Sequence, residues 1–409
     1  MRIAYLTADF GIPVYGNKGA SIHVRELSSA LRETGHDVRI YTCRLGGDPP
    51  AGFDIPVREV RLGSIRKQLV ATMKADPDIS DPMMKEIRTM LYSATLAQEI
   101  LPELQAWQPD AIYERYSLMS TAGVDLSRQL GIPLILEVNA PLAQEAEAHR
   151  GIGFRHTVHD IERRILQAAD HICAVSDDLR AWLVESGVEP ARVTVTPNRV
   201  NIARFAGAGT TVADGPTVGF VGTLKAWHGT ETLVRAIGQV ARERGPDAAP
   251  ALRIVGDGPQ RSSLEEIARE EGIDGLVTFT GMVDHADMPS HIGAMDIAVA
   301  PYNPRPDFYF SPLKLFEYMA AGRAIIAADI GQIPEIIDHE RTGLLVPPGD
   351  ATALAGAIMT LIDDRTLAAS LGRNARQEAV ERYAWERNAE IVADLIARAR
   401  QPSLVEGAR

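Results

Sequence analysis

The sequence predicts an α/β protein built from two doubly wound parallel sheets, each in a domain of its own. Apolar runs that suit buried strands alternate with helical patterns along most of the 409 residues. The alternation is interrupted by residues 206–216 and restarts at Thr217, and a chain of this length is too long for one ordinary core. The expected organisation is a first domain over 1–205, a linker over 206–216, a second domain over 217–384 and a final helix over 385–409.

The first domain begins with a pattern of strand, glycine-containing loop, helix and strand. An apolar run at residues 3–7 is followed by a loop with Gly16 and Gly19, and a helix is predicted to start at Ser21. Glycines allow backbone N–H groups to approach a ligand at the carboxyl end of a strand, although a plain tight turn explains these two equally well. Further strands are predicted at residues 38–42, 111–113, 134–138, 172–175 and 193–195.

The second domain repeats this organisation after a segment whose Ala, Gly and Thr content is typical of flexible linkers. Its strands are predicted at residues 217–221, 252–255, 277–279, 297–300, 324–327 and 344–346. Since ligands of doubly wound sheets bind at the carboxyl ends of the strands, we expect a ligand cleft between the two domains. The helix that follows is expected to pack back on the first domain.

A capped helix predicted from Ser311 to Gly322 carries the strongest binding signal. Ser311 suits the N-cap, Pro312 the first helical position, and Gly322 the end of the helix. A helix start presents unpaired N–H groups and a partial positive charge, which attract phosphate. Lys314 adds a full positive charge, and Glu317 can accept hydrogen bonds from hydroxyl groups. These residues predict a site for a phosphorylated, hydroxyl-rich ligand such as a nucleotide sugar.

Composition limits the class of protein. The net charge of −12 argues against nucleic acid as the main partner, because phosphate-backbone binding needs clustered Lys and Arg. Cys43 and Cys173 are far apart, which suits a reducing compartment. The sequence starts directly with a strand pattern, and its apolar runs are shorter than a membrane span. We therefore expect a cytoplasmic enzyme.

Two stretches of the first domain leave alternatives open. Residues 58–104 mix basic and apolar side chains, as in a solvated helical face or in a basic patch for an acidic acceptor or a membrane surface. Interspersed acidic residues favour the solvated face. His149, His156 and His159 are close in sequence, but a metal is not expected because no cysteine or carboxylate nearby completes a ligand set. Surface or acceptor-side histidines are the preferred interpretation.

Five stretches, in this order and spacing, resemble the retaining glycosyltransferases of family 4, which have the GT-B fold. They are the glycine loop ending in Gly19, residues 196–201 with Phe205, residues 222–229, residues 255–259 with 279–281, and residues 311–322. The resemblance covers almost the whole chain and implies two Rossmann-like domains that face each other across a cleft. It also implies a nucleoside-diphosphate sugar held mainly by the second domain, a hydroxyl-bearing acceptor on the first, and no metal cofactor.

The resemblance assigns roles to residues. Glu317 is similar to the acid that binds the nucleotide ribose, and the loop 222–229 and the start of the Ser311 helix would face the diphosphate. The backbone of residues 281–283 would border the base, and Gly19 would let its loop close over the phosphates. The donor-binding residues implied in this way are Gly16, Gly19, Gly222, Thr223, His228, Gly256, Gly281, Met282, Val283, Ser311 and Leu313.

The sequence departs from the family pattern where charge is expected. Tyr309 occupies the position of the first of two glutamates, and Thr223 and His228 replace an arginine and a lysine of the diphosphate loop. Lys225 and Lys314 are therefore the candidates to supply the missing positive charge. With Glu317 and Asn139, they form the set of predicted catalytic residues.

Asn139 stands where a histidine is common near the reacting centre. The acceptor-side candidates are Glu137, Glu145 and His149. The implied reaction is a front-face glycosyl transfer with retention, in which N–H groups and lysines stabilise the departing diphosphate. The alternatives are a non-catalytic nucleotide-sugar-binding protein and a sugar-nucleotide epimerase. The retained charges disfavour the first, and the lack of an evident acid–base pair disfavours the second.

Overall fold

The computed structural model describes residues 1–207 and 215–401 and divides the chain into two compact units. The first unit comprises Met1–Pro197 together with the helix that starts at Trp385, and the second comprises Asn198–Ala384. Most of the predicted linker 206–216, namely residues 208–214, lies outside the described residues. Each unit is an α/β structure with a parallel sheet, as predicted.

The strands of the first unit are β1 (Arg2–Thr7), β2 (Asp37–Thr42), β3 (Val57–Glu59), β4 (Ala111–Arg115), β5 (Leu134–Val138), β6 (His171–Ala174) and β7 (Val193–Val195). Those of the second are β8 (Thr217–Val221), β9 (Ala251–Val255), β10 (Val277–Phe279), β11 (Ile297–Ala300), β12 (Ala324–Ala328) and β13 (Leu344–Val346). Hydrogen-bonded neighbours follow the orders β3-β2-β1-β4-β5-β6-β7 and β10-β9-β8-β11-β12-β13. All these pairs are parallel, so both sheets are doubly wound.

The helices, in chain order, are α1 (Gly19–Glu33), α2 (Ser64–Lys74), α3 (Asp81–Trp107), α4 (Ala122–Leu130), α5 (Leu142–His149), α6 (Arg155–Ala168), α7 (Asp177–Glu185), α8 (Thr230–Arg244), α9 (Arg261–Glu270), α10 (Met288–Gly293), α11 (Leu313–Ala320), α12 (Ile333–Ile336), α13 (Ala351–Asp363), α14 (Arg365–Arg382) and α15 (Trp385–Ala399). In the described part of the chain, none of them combines the length and apolarity that a bilayer crossing requires.

The division between the units follows from where the core residues lie. Phe205 is buried in the core of the second unit, and Val200 forms a bridge with Ala384 in the same unit. The final helix α15 packs against α1 in the first unit, where the rings of His23 and Trp385 meet edge to face at 4.9 Å. The chain up to Pro197 therefore belongs to the core of the first unit, and the chain from Asn198 to Ala384 packs into the core of the second.

The sheet of the second unit is buried on both faces. In β11, Ile297 and Val299 belong to one apolar cluster, whereas Ala298 and Ala300 belong to another. This alternation is what a strand between two layers of helices requires. It explains why the strand sequences read as continuous apolar runs.

Two predicted helix starts differ from the structure. α1 begins at Gly19, two residues before Ser21. α11 begins at Leu313, and its N-cap is Pro312, whose ψ of 109° is extended. Ser311 does not cap the helix, because its hydroxyl oxygen accepts a hydrogen bond from the N–H of Asn198 at 3.0 Å. Gly322 follows the helix with a φ of 66°, so the predicted end is confirmed.

Candidate functional site

Three of the predicted donor-binding glycines lie together at the carboxyl ends of neighbouring strands in the second unit. Gly222 directly follows β8, Gly256 directly follows β9, and Gly281 comes two residues after β10. The N–H of Gly222 donates to the carbonyl of Val255 at 2.9 Å, and the N–H of Gly256 donates to that of Gly281 at 3.0 Å. The three loops therefore form one connected surface at the edge where doubly wound sheets bind ligands.

Close backbone approach explains two of these glycines. The φ angles of Gly222 and Gly256 are 144° and 133°, which favour glycine. A Cβ atom at Gly256 would lie 2.1 Å from the carbonyl oxygen of Gly222, and one at Gly222 would lie 2.9 Å from Nζ of Lys314. The first turn of α11 therefore lies directly against the Gly222 loop.

The helix α11 is fixed to this loop by its buried side chains. The hydroxyl oxygen of Tyr318 accepts a hydrogen bond from the N–H of Val221, the last residue of β8, at 2.8 Å. Phe316, Tyr318 and Met319 are fully buried, so the helix is enclosed around its circumference and does not present a single apolar face. Its enclosure carries Lys314 and Glu317 into the interior of the unit.

Lys314 is a buried cation that has no hydrogen-bond acceptor among the described residues. Its Nζ lies 3.9 Å from the centroid of the Phe220 ring and 5.2 Å from that of Tyr302, and within residues 1–207 and 215–401 no acceptor contacts it. Burial lowers the pKa of Lys314 to about 7, although the charge of Glu317 acts in the opposite direction. An anion bound beside Gly222 would stabilise the protonated form.

His228 is neutral at physiological pH. It is buried, and its Nδ1–H donates to the carbonyl of Thr223. Burial and the nearby charge of Lys314 lower the pKa of His228 to about 2. His228 therefore holds the Gly222–Gly229 loop in shape and supplies no positive charge to it.

Lys225, the other predicted cation, is exposed. Its N–H donates to Thr223 at 2.9 Å, and its carbonyl accepts the N–H of His228 at 3.0 Å. The backbone of Lys225 is therefore fixed while its side chain extends into solvent. The two lysines thus differ in environment, since Lys314 is enclosed and Lys225 is not.

Glu317 belongs to a chain of hydrogen bonds that the sequence did not predict. Its Oε1 lies 2.9 Å from Nε2 of His285, and Nη1 of Arg204 donates to Nδ1 of His285 at 2.7 Å. Because Arg204 has only donors, Nδ1 must be the acceptor and Nε2 carries the proton that is donated to Glu317. His285 is 32 positions from Glu317 and 81 positions from Arg204 in the sequence, so no short motif contains the three residues.

The other predicted residues of the second unit surround this arrangement. Met282 follows Gly281 and is 65% exposed, whereas Val283 packs against the core. Leu313 is half-buried as the first residue of α11. Tyr309, at the position of the first family glutamate, contacts the ring of Phe310 edge to face at 6.0 Å. Phe310 in turn belongs to an aromatic cluster with Trp227, Tyr302 and Phe308.

In the first unit the structure brings Glu137 and Asn139 together. Nδ2 of Asn139 donates to Oε1 of Glu137 at 2.6 Å, and the same buried carboxylate contacts Arg115, Nε2 of His23 at 2.8 Å and the hydroxyl of Tyr113 at 2.7 Å. Burial alone would raise the pKa of Glu137, but His23 and Arg115 hold it well below its ordinary value. The carboxylate of Glu137 therefore acts on Asn139 by fixing its amide.

The remaining predicted residues of the first unit lie in loops and at helix ends. The carbonyl of Gly16 accepts from Nη1 of Arg25 at 2.7 Å, and Gly19 is the first residue of α1. Glu145 lies in α5 with Oε2 3.3 Å from Nη2 of Arg150, and His149 ends that helix. In the described ranges, no group of three His, Cys, Asp or Glu side chains could hold a metal ion.

Comparison with known proteins identifies the family. Residues 18–199 match the family described as "Glycosyl transferase 4-like domain", and residues 215–364 match "Glycosyl transferases group 1". The chain belongs to the family 4 glycosyltransferases. This result confirms the resemblance drawn from the five stretches.

Relatives of this glycosyltransferase match over most of its length. It is 26% identical over 410 residues to the glycogen synthase of Mycobacterium tuberculosis, and the match covers 98% of this chain and 95% of the relative. It is 28% identical over 402 residues to the D-inositol 3-phosphate glycosyltransferase of Pseudarthrobacter chlorophenolicus, covering 92% and 89%. HepE of Anabaena, in complex with UDP-glucose, superposes with a TM-score of 0.72 at 19% identity over 97% of this chain and 100% of that one. This likeness confirms the GT-B fold.

Proposed function

We propose that this glycosyltransferase moves a sugar from a nucleoside-diphosphate sugar to an acceptor hydroxyl with retention of the anomeric configuration. The observation that carries the proposal is the buried ammonium of Lys314 beside Gly222. Burying an ammonium without hydrogen bonds is costly, and a diphosphate would supply both the opposite charge and the missing acceptors. The complex of HepE with UDP-glucose supports a ligand of this class.

In this proposal each part of the donor has its own contacts in the second unit. The diphosphate binds Lys314 and the N–H groups at the start of α11, the Gly222 loop faces it, and Lys225 reaches it from the exposed side. The ribose hydroxyls donate to Glu317, which His285 holds in place. The base borders the backbone of residues 281–283. No metal is needed, because lysines and N–H groups neutralise the phosphates.

The chemistry follows from where negative charge develops. As the bond between the anomeric carbon and the phosphate oxygen breaks, the departing diphosphate gains charge, and Lys314 stabilises it. The acceptor hydroxyl attacks from the same face, forms the new C–O bond, and gives its proton to the departing phosphate oxygen. Retention results without a covalent enzyme intermediate, so the tyrosine at position 309 is compatible with turnover. Asn139 remains a proposed catalytic residue, and Glu145 and His149 remain proposed residues of the acceptor side.

A thermal-shift comparison tests the donor site. The wild-type protein and Lys314→Met would be melted with UDP, GDP or ADP, with Lys74→Met, at an exposed lysine that ends α2, as the matched control. We expect one nucleotide to raise the melting temperature of the wild type and of Lys74→Met, but not that of Lys314→Met. If none of the three stabilises the wild type, the proposal is wrong.

Acceptor dependence tests the transfer itself. Release of nucleoside diphosphate from the identified donor should increase when a suitable hydroxyl-bearing acceptor is added, because transfer consumes both substrates. A non-catalytic binding protein would release none. Donor consumption that proceeds to a changed nucleotide sugar without an acceptor would instead support the epimerase alternative.

A further inference from the structure

A cavity of about 280 Å³ lies within the first unit at the carboxyl ends of two neighbouring strands. Residues 8–11 directly follow β1, and residues 117–119 come just after β4. The other walls come from the first turns of α3 and from the end of α5. The order of the sheet reverses between β1 and β4, and this is where doubly wound sheets bind ligands.

The two carboxylates that line this cavity accept hydrogen bonds from backbone N–H groups. Both oxygens of Glu86, which is 6% exposed, accept hydrogen bonds at 2.8 Å, one from the N–H of Gly153 and one from that of Phe154. Oδ1 of Asp9 accepts the N–H of Gly11 at 2.7 Å. These carboxylates shape the loops around the cavity.

The cations that line the cavity have fewer hydrogen-bond and ion-pair partners than the carboxylates. Arg88 places its guanidinium carbon 4.2 Å from the centroid of the Phe10 ring, and its buried Nε has no acceptor in residues 1–207 and 215–401. Lys85 is exposed and, like Arg88, forms no ion pair with any carboxylate of the described chain. Arg150 is paired with Glu145 at 3.3 Å. Two cations of the lining, Lys85 and Arg88, therefore have no ion-pair partner in the described residues, whereas the two carboxylates of the lining accept hydrogen bonds from backbone N–H groups.

We propose that this cavity binds the anionic group of the acceptor, so that the acceptor is a hydroxyl-bearing molecule with a phosphate or a carboxylate. A guanidinium matches the geometry of an oxyanion, and a bound oxyanion would give Nε of Arg88 its missing acceptor. Lys85 adds a second charge, while Phe10, Leu118 and Met119 form an apolar wall for the carbon skeleton. The volume suits a single sugar or polyol. The inference rests on the proposed function, because it takes the bound anion to be the acceptor.

Calorimetric titration without nucleotide tests this site on the full chain. Glucose 6-phosphate, glucuronate and glucose would be titrated into the wild type, Arg88→Gln, Lys85→Gln and the control Lys67→Gln, which removes an exposed charge of α2 away from the cavity. We expect at least one of the two anions to bind and glucose to bind far more weakly. Whichever anion binds tighter identifies the group as phosphate or carboxylate.

The variants separate the site from general charge effects. Arg88→Gln should weaken anion binding by about 10- to 100-fold, the usual range for a lost hydrogen bond to a charged group, and Lys85→Gln should weaken it by a smaller factor. Lys67→Gln should bind like the wild type. If Arg88→Gln does not fold, as judged by its melting curve, Lys85→Gln decides the question.

Three results would overturn the inference. They are the failure of both anions to bind the wild type, equal binding of glucose, and wild-type affinity in the folded cavity variants. A failure of the donor site is distinguishable from these, because Lys314→Met should lose nucleotide binding and keep anion binding. Conversely, wild type that binds nucleotide but neither anion contradicts only the acceptor inference.

Discussion

The ε-ammonium of Lys314 lies 3.9 Å from the centroid of the Phe220 ring, in the interior of the second unit. A cation–π contact contributes about 2 kcal/mol when desolvated, which is less than the several kcal/mol that burial of an unpaired ion costs. The free protein therefore holds Lys314 at a net expense in stability. The predictions for this residue follow from that imbalance.

Replacement of Lys314 by methionine should affect stability and turnover in opposite directions. Methionine fits an apolar environment, so the free energy of unfolding without ligand should stay equal or rise. Donor turnover should fall about 100-fold, since loss of a contact to developing charge typically costs about 3 kcal/mol. Chemical denaturation and release of nucleoside diphosphate measure the two effects. A large loss of stability with normal turnover would contradict both parts, and Lys74→Met is the control.

The pH dependence of stability should reveal the lowered pKa of Lys314. Its pKa is about 7 in the folded protein and 10.5 ordinarily, so between these values the unfolded chain binds more protons than the folded one. The free energy of unfolding contributed by Lys314 therefore increases as pH rises from about 7 toward about 10. Denaturation curves of the wild type minus those of Lys314→Met, taken across this pH range, should show the increase. A flat difference would mean that Lys314 is solvated.

Diphosphate binding should shift this titration. A bound anion favours the charged lysine, so above pH 7 the complex should take up a proton that the free protein lacks. Calorimetric titration of the bound nucleotide in buffers with different ionisation enthalpies measures this uptake. The expected result is uptake in the wild type and in Lys74→Met. Absence of uptake in the wild type at pH 8 would place the phosphates away from Lys314.

The sequence could predict features that depend on neighbouring residues, but not those that depend on contacts between residues far apart in the chain. Apart from β3, a three-residue edge strand, every strand was predicted, because continuous apolar runs between helical patterns are local features. The N-cap at Ser311 was a local prediction that a distant residue overruled, since Asn198 occupies its hydroxyl. The contacts of Glu317 with His285, and of His285 with Arg204, could not be predicted because these residues are far apart in the sequence.

The electrostatic character of the candidate site was also only partly predictable. The sequence singled out Lys225 and Lys314 together as replacements for a missing charge, but it carried no information on which of them is enclosed. That difference arises because α11 is buried around its circumference and because Gly222 admits Nζ of Lys314 at close range. Similarly, the cavity of the first unit is formed partly by residues of the irregular stretch 58–104, for which the patterns left alternatives open.

Replacement of His285 should weaken donor binding more than it slows chemistry. His285 donates to Glu317 at 2.9 Å, so His285→Leu would leave the carboxylate without this anchor. The expected result is an increase in KM for the donor of about tenfold with a smaller change in kcat, as for a lost hydrogen bond to a charged group. His285→Gln retains a donor and should show a smaller increase. Equal KM values for the wild type and His285→Leu would contradict the positioning role.

Substitution of Gly256 by alanine should disrupt the donor site through the backbone. The new Cβ would lie 2.1 Å from the carbonyl oxygen of Gly222, and the φ of 133° is unfavourable for alanine. We expect a loss of about 2 kcal/mol or more in the free energy of unfolding, together with loss of nucleotide-induced stabilisation. Gly275→Ala is the matched control, because a Cβ there would meet no atom within 4 Å. If Gly256→Ala binds nucleotide as the wild type does, the loops after β8 and β9 do not hold the phosphates in the arrangement proposed.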